Sequence, residues 1–337
     1  MSNEEKIVIA SKEERSFEKQ IRPKSFNEFI GQKPLVKSLK TYIIAAEERH
    51  EALDHVLLYG PPGLGKTTLA NIIANELKKG FYSSSGPVIS IPGDLSGMLT
   101  NLQNRDVFFI DEIHRINTTI EEYLYSAMED YRIDILIDSG PNARTIRIDL
   151  EPFTLVGATT RLGKITTPMR DRFGVIFRLK YYKTNEIFQV LERTTKILNV
   201  TINKDALYEI ALRSRGTPRV ANRILKRVRD FAQVQKSKKI TINQAIESLD
   251  NIGIDKNGLE EMDRKILKNL ISKFNGGPTG GKSLAISVNE DLQTIEDVYE
   301  PYLIKEGFIE RTSRGRTATE RAYKLFNIKK QESLFND

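Results

Sequence analysis

"HVLLYGPPGLGKTTLANIIANELKK", residues 55–79, decides the fold. It reads as an apolar strand, a glycine-rich loop and a helix in direct succession, the start of an α/β unit. Within it, Gly60 to Thr67 fits the phosphate-loop pattern G-x-x-x-x-G-K-[ST]. Phosphate binding needs backbone N–H groups converging on one point, which glycine permits at Gly63 and Gly65, and the helix N-terminus adds a favourable dipole. Lys66 reaches the β- and γ-phosphates of ATP, or the β-phosphate of ADP, and the Thr67 hydroxyl is a ligand for Mg²⁺.

Outward from this loop, "VFFIDEIH" (107–114) is a second apolar strand that ends in acidic residues. Such a strand delivers Asp111 to the carboxyl edge of the sheet, where it holds Mg²⁺ through water, and Glu112 then polarises the attacking water. "LVGATT" (155–160) ends a third strand in two threonines, of which Thr160 is assigned to report on the γ-phosphate. "TTPMRDRFG" puts Arg170 and Arg172 beyond that strand, and "RGTPRVANRIL" puts Arg219 at the first turn of a helix. An arginine at Arg172 suits a neighbouring subunit's nucleotide, and Arg219 is placed to close on the phosphates. Each alone also suits a solvated surface charge.

The chain has 337 residues, enough for two or three domains. With 39% hydrophobic and 29% charged residues it reads as a globular chain, and a net charge of +7 mildly favours a polyanionic partner. The absence of Cys excludes disulfides and Cys-based metal sites, and three His make a His-rich centre improbable. No apolar run approaches the ~20 residues that span a bilayer, and "MSNEEKIVIASKEERSFEKQ" lacks a signal-peptide core, so the expected location is cytoplasmic, with no membrane partner. Residues 1–20 are expected to be loosely ordered. An α/β ATPase domain with a mostly parallel sheet follows over 21–182, then a small helical lid over 183–254, and a third unit over 255–337. In that unit, helices precede "GFIERTSRGRTAT", a basic two-stranded wing, which describes a winged helix. Arg311, Arg314 and Arg316 sit on or beside its turn, placed for DNA backbone phosphates, contacts that suit movement over any sequence.

"EDYRIDILIDSGPNARTIRIDLEPF" (129–153) interrupts the core with a hairpin: two alternating runs around Ser139-Gly140-Pro141-Asn142. One face carries Ile133, Ile135, Ile137, Ile146 and Ile148, the other Asp134, Asp138, Arg147 and Asp149. Two strands alone are seldom stable in water, so the apolar strip either folds back on its own domain or docks a partner through Ile135, Ile137, Ile146 and Ile148.

The order GPPGLGKT, FIDEIH, GATT, RDRFG and GTPR resembles that of the AAA+ ATPases. "RPKSFNEFIGQ", "LYSAMEDYRIDILI", "RGTPRVANRILKRVRDFA" and "GFIERTSRGRTAT" narrow the likeness to the RuvB family of Holliday-junction branch-migration motors, from about Phe17 to Phe326. The resemblance implies a homo-hexameric ATPase ring on duplex DNA that moves Holliday junctions in recombination and repair. It implies that the hairpin docks a RuvA-type junction-binding protein, with a RuvC-type resolvase in the wider complex. It also implies a nucleotide pocket of Ile21, Arg22, Gly63, Gly65, Lys66, Thr67, Thr68, Glu129, Asp130, Tyr131, Tyr182 and Arg219, with Arg172 as a finger offered to the neighbour. Met169 stands where leucine is usual, a volume-conserving swap. Two other classes share the nucleotide residues. A clamp-loader-like switch would need neither basic wing nor projecting hairpin, and a regulator with a vestigial ATP site would not keep Lys66, Asp111 and Glu112 together.

Overall fold

A computed structural model describes residues 16–136 and 145–329. Helix α1 covers 16–21, so residues 16–20, expected to be loosely ordered, are helical. The chain divides into two compact units, the first running to Val200 and including Gly216–Asn222, the second comprising Thr201–Arg215 and the chain from Arg223 onward.

In the first unit, α2 (Lys33–Arg49) precedes β1 (Val56–Tyr59) and α3 (Lys66–Glu76). Then follow β2 (Phe81–Ser85), α4 (Pro92–Leu99), β3 (Val107–Asp111) and α5 (Thr118–Glu129). After the hairpin strands β4 (Arg132–Leu136) and β5 (Thr145–Asp149) come β6 (Thr154–Thr159), α6 (Thr167–Asp171), β7 (Val175–Arg178) and α7 (Thr184–Ile197). Five strands form one sheet in the order β2-β3-β6-β1-β7, every pair parallel. Its three central strands are apolar on both faces because both are covered. Leu57, Phe108, Ile110 and Leu155 pack with Leu95 and Leu99 of α4 and Ile120 and Leu124 of α5. The alternate residues Val56, Leu58, Val107, Phe109 and Val156 are equally buried, and α3, with Leu69, Ile72 and Ile73 fully buried, lies against β3 and β6. The edge strands carry only short apolar runs, Phe81-Tyr82 in β2 and Val175-Ile176-Phe177 in β7, too short to mark a central strand; both alternate or expose their side chains.

The second unit holds α8 (Lys204–Arg213), most of α9 (Pro218–Val234) and α10 (Ile242–Asn251). There follow α11 (Glu261–Phe274), α12 (Gly281–Val288), α13 (Leu292–Thr294), a π turn at Ile295–Tyr299, and α14 (Glu300–Lys305). The wing is β8 (Ile309–Thr312) paired antiparallel with β9 (Gly315–Ala318), and α15 (Glu320–Leu325) closes the described chain. Ile266, Leu270, Leu284, Val288, Leu303, Phe308 and Ala322 form the core of this winged helix. The Glu260 N–H donates to Asp263 Oδ2 at 2.7 Å and starts α11, one donor of the helix end satisfied by a side chain.

The hairpin pairs Ile133 with Ile148 and Ile135 with Ile146, while Arg147 donates to Asp134 at 2.9 Å on the opposite, solvent face. Its apolar face is divided. Ile133 is fully buried with α4 and α5, Ile148 is half-buried, and Ile146 is 47% exposed. The base therefore folds back on its own domain, while Ile146 stays open. Ile137 lies outside the described residues. Ile133→Ala should cost the first unit about 2–5 kcal/mol in urea unfolding. Ile146→Ala should change it by no more than about 0.5 kcal/mol.

Candidate active site

Because all five strands run the same way, the loops after β1, β3 and β6 meet at one edge of the sheet. The loop after β1 turns through two glycines in the left-handed region, Gly63 (φ +75°) and Gly65 (φ +101°). At Gly63 a β-carbon would meet Thr217 Cγ2 at 2.8 Å and Arg219 Cβ at 3.0 Å. Lys66 lies under the loop with its Nζ donating to the carbonyls of Gly60 at 2.8 Å and Pro61 at 3.0 Å. Burial pushes its ammonium down to about 8, opposed by the charges of Asp111 and Glu112. An anionic phosphate beside it offsets that desolvation, so the site favours a polyphosphate.

Thr67 Oγ1 lies 3.5 Å from Asp111 Oδ2, and the Glu112 N–H donates to Asp111 Oδ1 at 3.0 Å. A hydroxyl and a carboxylate are hard oxygen donors of the kind Mg²⁺ takes when substrate phosphates and water complete its shell. Among the described residues no cluster of three or more His, Cys, Asp or Glu could cage a metal unaided.

Glu112 has its backbone in the left-handed region (φ 50°), uncommon for a non-glycine residue, with its carboxylate about one-third exposed. Its Oε2 lies 3.4 Å from His114 Nε2, and His114 Nδ1 is 2.8 Å from the Thr159 hydroxyl. Thr159 is fully buried, and its oxygen also accepts from the Arg161 N–H at 2.9 Å. Thr160, next along, is half-buried at the same edge.

A first group of the expected pocket residues gathers around the loop. The Arg219 N–H donates to the Gly63 carbonyl at 3.3 Å, and its Nε lies 3.2 Å from Glu18 Oε1. Glu18 also faces Arg22 at 3.7 Å, and the Ile21 carbonyl accepts from Arg193. Tyr182 is buried, donates its hydroxyl to the Leu64 carbonyl at 3.2 Å and packs against Gly31, while Thr68 follows Thr67 on α3. Sequence reading passed over Glu18, Thr217 and His114. Thr217 and His114 stood inside quoted motifs, and Glu18 stood in a segment read as loose.

A second group lies elsewhere. Arg172 donates to Glu129 at 3.1 Å and to the Pro168 carbonyl at 2.8 Å, and its guanidinium sits 4.3 Å from the Tyr125 ring. Asp130 pairs with Arg132 at 2.8 Å, and the Tyr131 ring meets His55 and Phe153. His55 precedes β1, and Val175 pairs with Val56 at that strand's start, so this group marks the amino end of the sheet. Its own phosphate loop leaves the other end.

On the wing, Arg311 and Arg314 are exposed, but Arg316 is not available as expected. It is 7% exposed, donating to Glu300 at 2.6 Å and to Glu296 at 2.6 Å. The hydrogen bond from Arg316 to Glu300, more than the opposing burial, raises its pKa, so it stays charged as an internal brace. The inward face of β9 carries Arg316 with Ala318, a sidedness that a short basic turn does not reveal.

This sheet, loop and acidic pair define a P-loop ATPase of the AAA+ class. Residues 21–179 match the family described as Holliday junction DNA helicase RuvB P-loop domain. Residues 182–255 match the RuvB AAA lid domain and 256–327 the RuvB C-terminal winged helix domain. The chain belongs to the RuvB family. It is 56% identical over 314 residues to the Holliday junction branch migration complex subunit RuvB of Myxococcus xanthus, 93% of this chain and 92% of that one. To the same subunit of Flavobacterium johnsoniae it is 57% identical over 312 residues, again 93% and 92%. Its structure is similar to the Thermotoga maritima RuvB Holliday junction branch migration motor, with a TM-score of 0.84 and 47% identity, covering 92% of this chain and 99% of that one. No described helix is long and apolar enough to cross a membrane.

Gly63→Ala should lower ATP hydrolysis at least about tenfold, since both its φ and its contacts resist a side chain. Gly97→Ala, with open space around it, should leave the rate unchanged in the same assay.

Proposed function

We propose that this protein is a cytoplasmic, ATP-driven motor that moves Holliday junctions, working as a homo-hexameric ring on duplex DNA with a RuvA-type junction-binding protein and a RuvC-type resolvase. One observation carries the reading. The constellation of Lys66, Thr67, Asp111 and Glu112 occurs in a chain that also ends in a winged helix with Arg311 and Arg314 exposed on its wing. The names of the relatives agree with it.

In this mechanism the loop N–H groups around Gly63 and Gly65 hold the phosphates, and Lys66 turns from the loop carbonyls to the β- and γ-oxygens. Thr67 and Asp111 would hold Mg²⁺, which supplies charge neutralisation on the phosphates when bound. Glu112 orients a water and accepts its proton as the water oxygen bonds to the γ-phosphorus. The bond from that phosphorus to the β–γ bridging oxygen breaks, leaving ADP and phosphate. Thr160 hydrogen-bonds a γ-phosphate oxygen, and Arg219 stabilises charge from the other side.

Arg172, with Glu129, Asp130 and Tyr131, serves the nucleotide of the adjacent subunit. Their place at the far end of the sheet from their own loop supports this. Arg172→Ala should cut hydrolysis by about 10³-fold in pure rings and be partly rescued by wild-type subunits in mixed rings. Equal failure in both would refute a finger acting in trans. At the hairpin, Ile146 is the exposed residue to test for docking, with Ile135, Ile137 and Ile148 as the other residues that the sequence alternation assigns to the same strip. Ile146→Asp should abolish stimulation by the junction-binding partner and spare basal hydrolysis; loss of both would count against docking there. The whole reading is tested by ATP-dependent dissociation of a synthetic four-way junction, with and without that partner. Hydrolysis without junction movement would favour a clamp-loader-like switch.

A further inference from the structure

We infer that His114 is a positioning residue for hydrolysis, holding the Glu112 carboxylate in line with the help of the Thr159 hydroxyl. The inference rests on Glu112 as the group that accepts the water proton.

The geometry leaves the imidazole one useful arrangement. Thr159 Oγ1 already accepts the Arg161 N–H at 2.9 Å, so its single proton is free to be donated to His114 Nδ1 at 2.8 Å. Nδ1 is then the acceptor of a neutral ring, and the proton sits on Nε2, 3.4 Å from Glu112 Oε2. The opposite tautomer would aim the Nε2 lone pair at a carboxylate, which is repulsive. A protonated ring also presents Nε2–H to Glu112. In every favourable state, then, His114 donates toward the carboxylate.

The placement of the three residues suits this task. The His114 side chain is 7% exposed, while Glu112 remains open enough to meet a water. A buried ring fixed at one nitrogen restricts the second far more than a surface side chain would. Thr159 ends the strand whose next residue is Thr160. A shift of that strand end on meeting the γ-phosphate therefore reaches Glu112 through Thr159 and His114. Glu112 itself follows Asp111 with a left-handed backbone, so its side chain leaves the strand in a direction that ordinary strand geometry does not set. His114 supplies a restraint on that direction.

The test is steady-state ATP hydrolysis by the full chain with DNA, alongside direct binding of a fluorescent ATP analogue. His114→Ala should lower kcat roughly 10- to 100-fold with KM and analogue affinity within about twofold, the loss expected when a proton acceptor is misplaced. His114→Gln, whose amide N–H reaches about where Nε2–H sits, should restore most of kcat. Thr159→Val should lower kcat alone yet add little in the His114→Ala background, because the two act as one unit. An unchanged or raised kcat in His114→Ala would overturn the inference. So would a parallel loss of analogue affinity, no rescue by glutamine, or additive effects of Thr159→Val. Glu112→Gln is the control: if it still hydrolyses ATP at the normal rate, the assignment of Glu112 fails instead.

Discussion

Parallel pairing of β1 with β6, and of β6 with β3, is the constraint on which the active site depends. It brings Gly60, Asp111 and Thr159 to one edge, although they are separated by some hundred residues of chain. Nothing local to the phosphate loop could place a carboxylate 3.5 Å from Thr67. Strand burial on both faces makes the register costly to shift, since a slip of one residue would turn every apolar side chain to the wrong layer. The same edge carries polar groups that burial alone would penalise. Lys66 is the clearest case, its charge disfavoured by desolvation and held by loop carbonyls until an anion replaces them.

The residues ascribed to the nucleotide pocket fall into two places within one chain. Ile21, Arg22, Tyr182 and Arg219 surround the phosphate loop; Glu129, Asp130, Tyr131 and Arg172 lie at the opposite end of the sheet. Arg172 is not idle there. Glu129 and the Tyr125 ring hold it in a defined direction, which reduces the entropy lost when it meets a charged ligand. A preset arginine remote from its own phosphate loop is the arrangement expected under the proposed inter-subunit site.

Charge serves two different ends in the second unit. Arg316 with Glu300, and Arg215 with Asp263, are buried pairs, and the partly exposed Glu296 adds a second contact to Arg316. Burial raises the pKa of Asp263 despite Arg215, a sign that the pair is not free of desolvation cost. Such pairs specify how elements meet more than they stabilise, although removing one partner leaves a costly buried charge. Arg311, in a 3.4 Å contact with Glu296, and Arg314 remain exposed, where a charge costs little and can meet a phosphate. The wing thus has one arginine that builds it and two that it displays.

The sequence by itself determined the α/β core, the phosphate loop, the acidic strand and the winged helix, because each rests on local pattern. An apolar run, a glycine-rich turn and a helical start need no knowledge of distant residues. The edge strands β2 and β7 were not legible, since neither is fully buried and their apolar runs, Phe81-Tyr82 and Val175-Ile176-Phe177, are shorter than those of the central strands. Sidedness was also hidden. Alternation correctly grouped Ile133, Ile146 and Ile148 on one face of the hairpin, yet only packing against α4 and α5 decided that Ile133 is core and Ile146 is surface. Likewise three arginines around a turn looked alike until Glu296 and Glu300 drew Arg316 inward, while Arg311 stays exposed with only a longer contact to Glu296. Periodicity reports which residues share a face; what covers that face is a property of the tertiary structure.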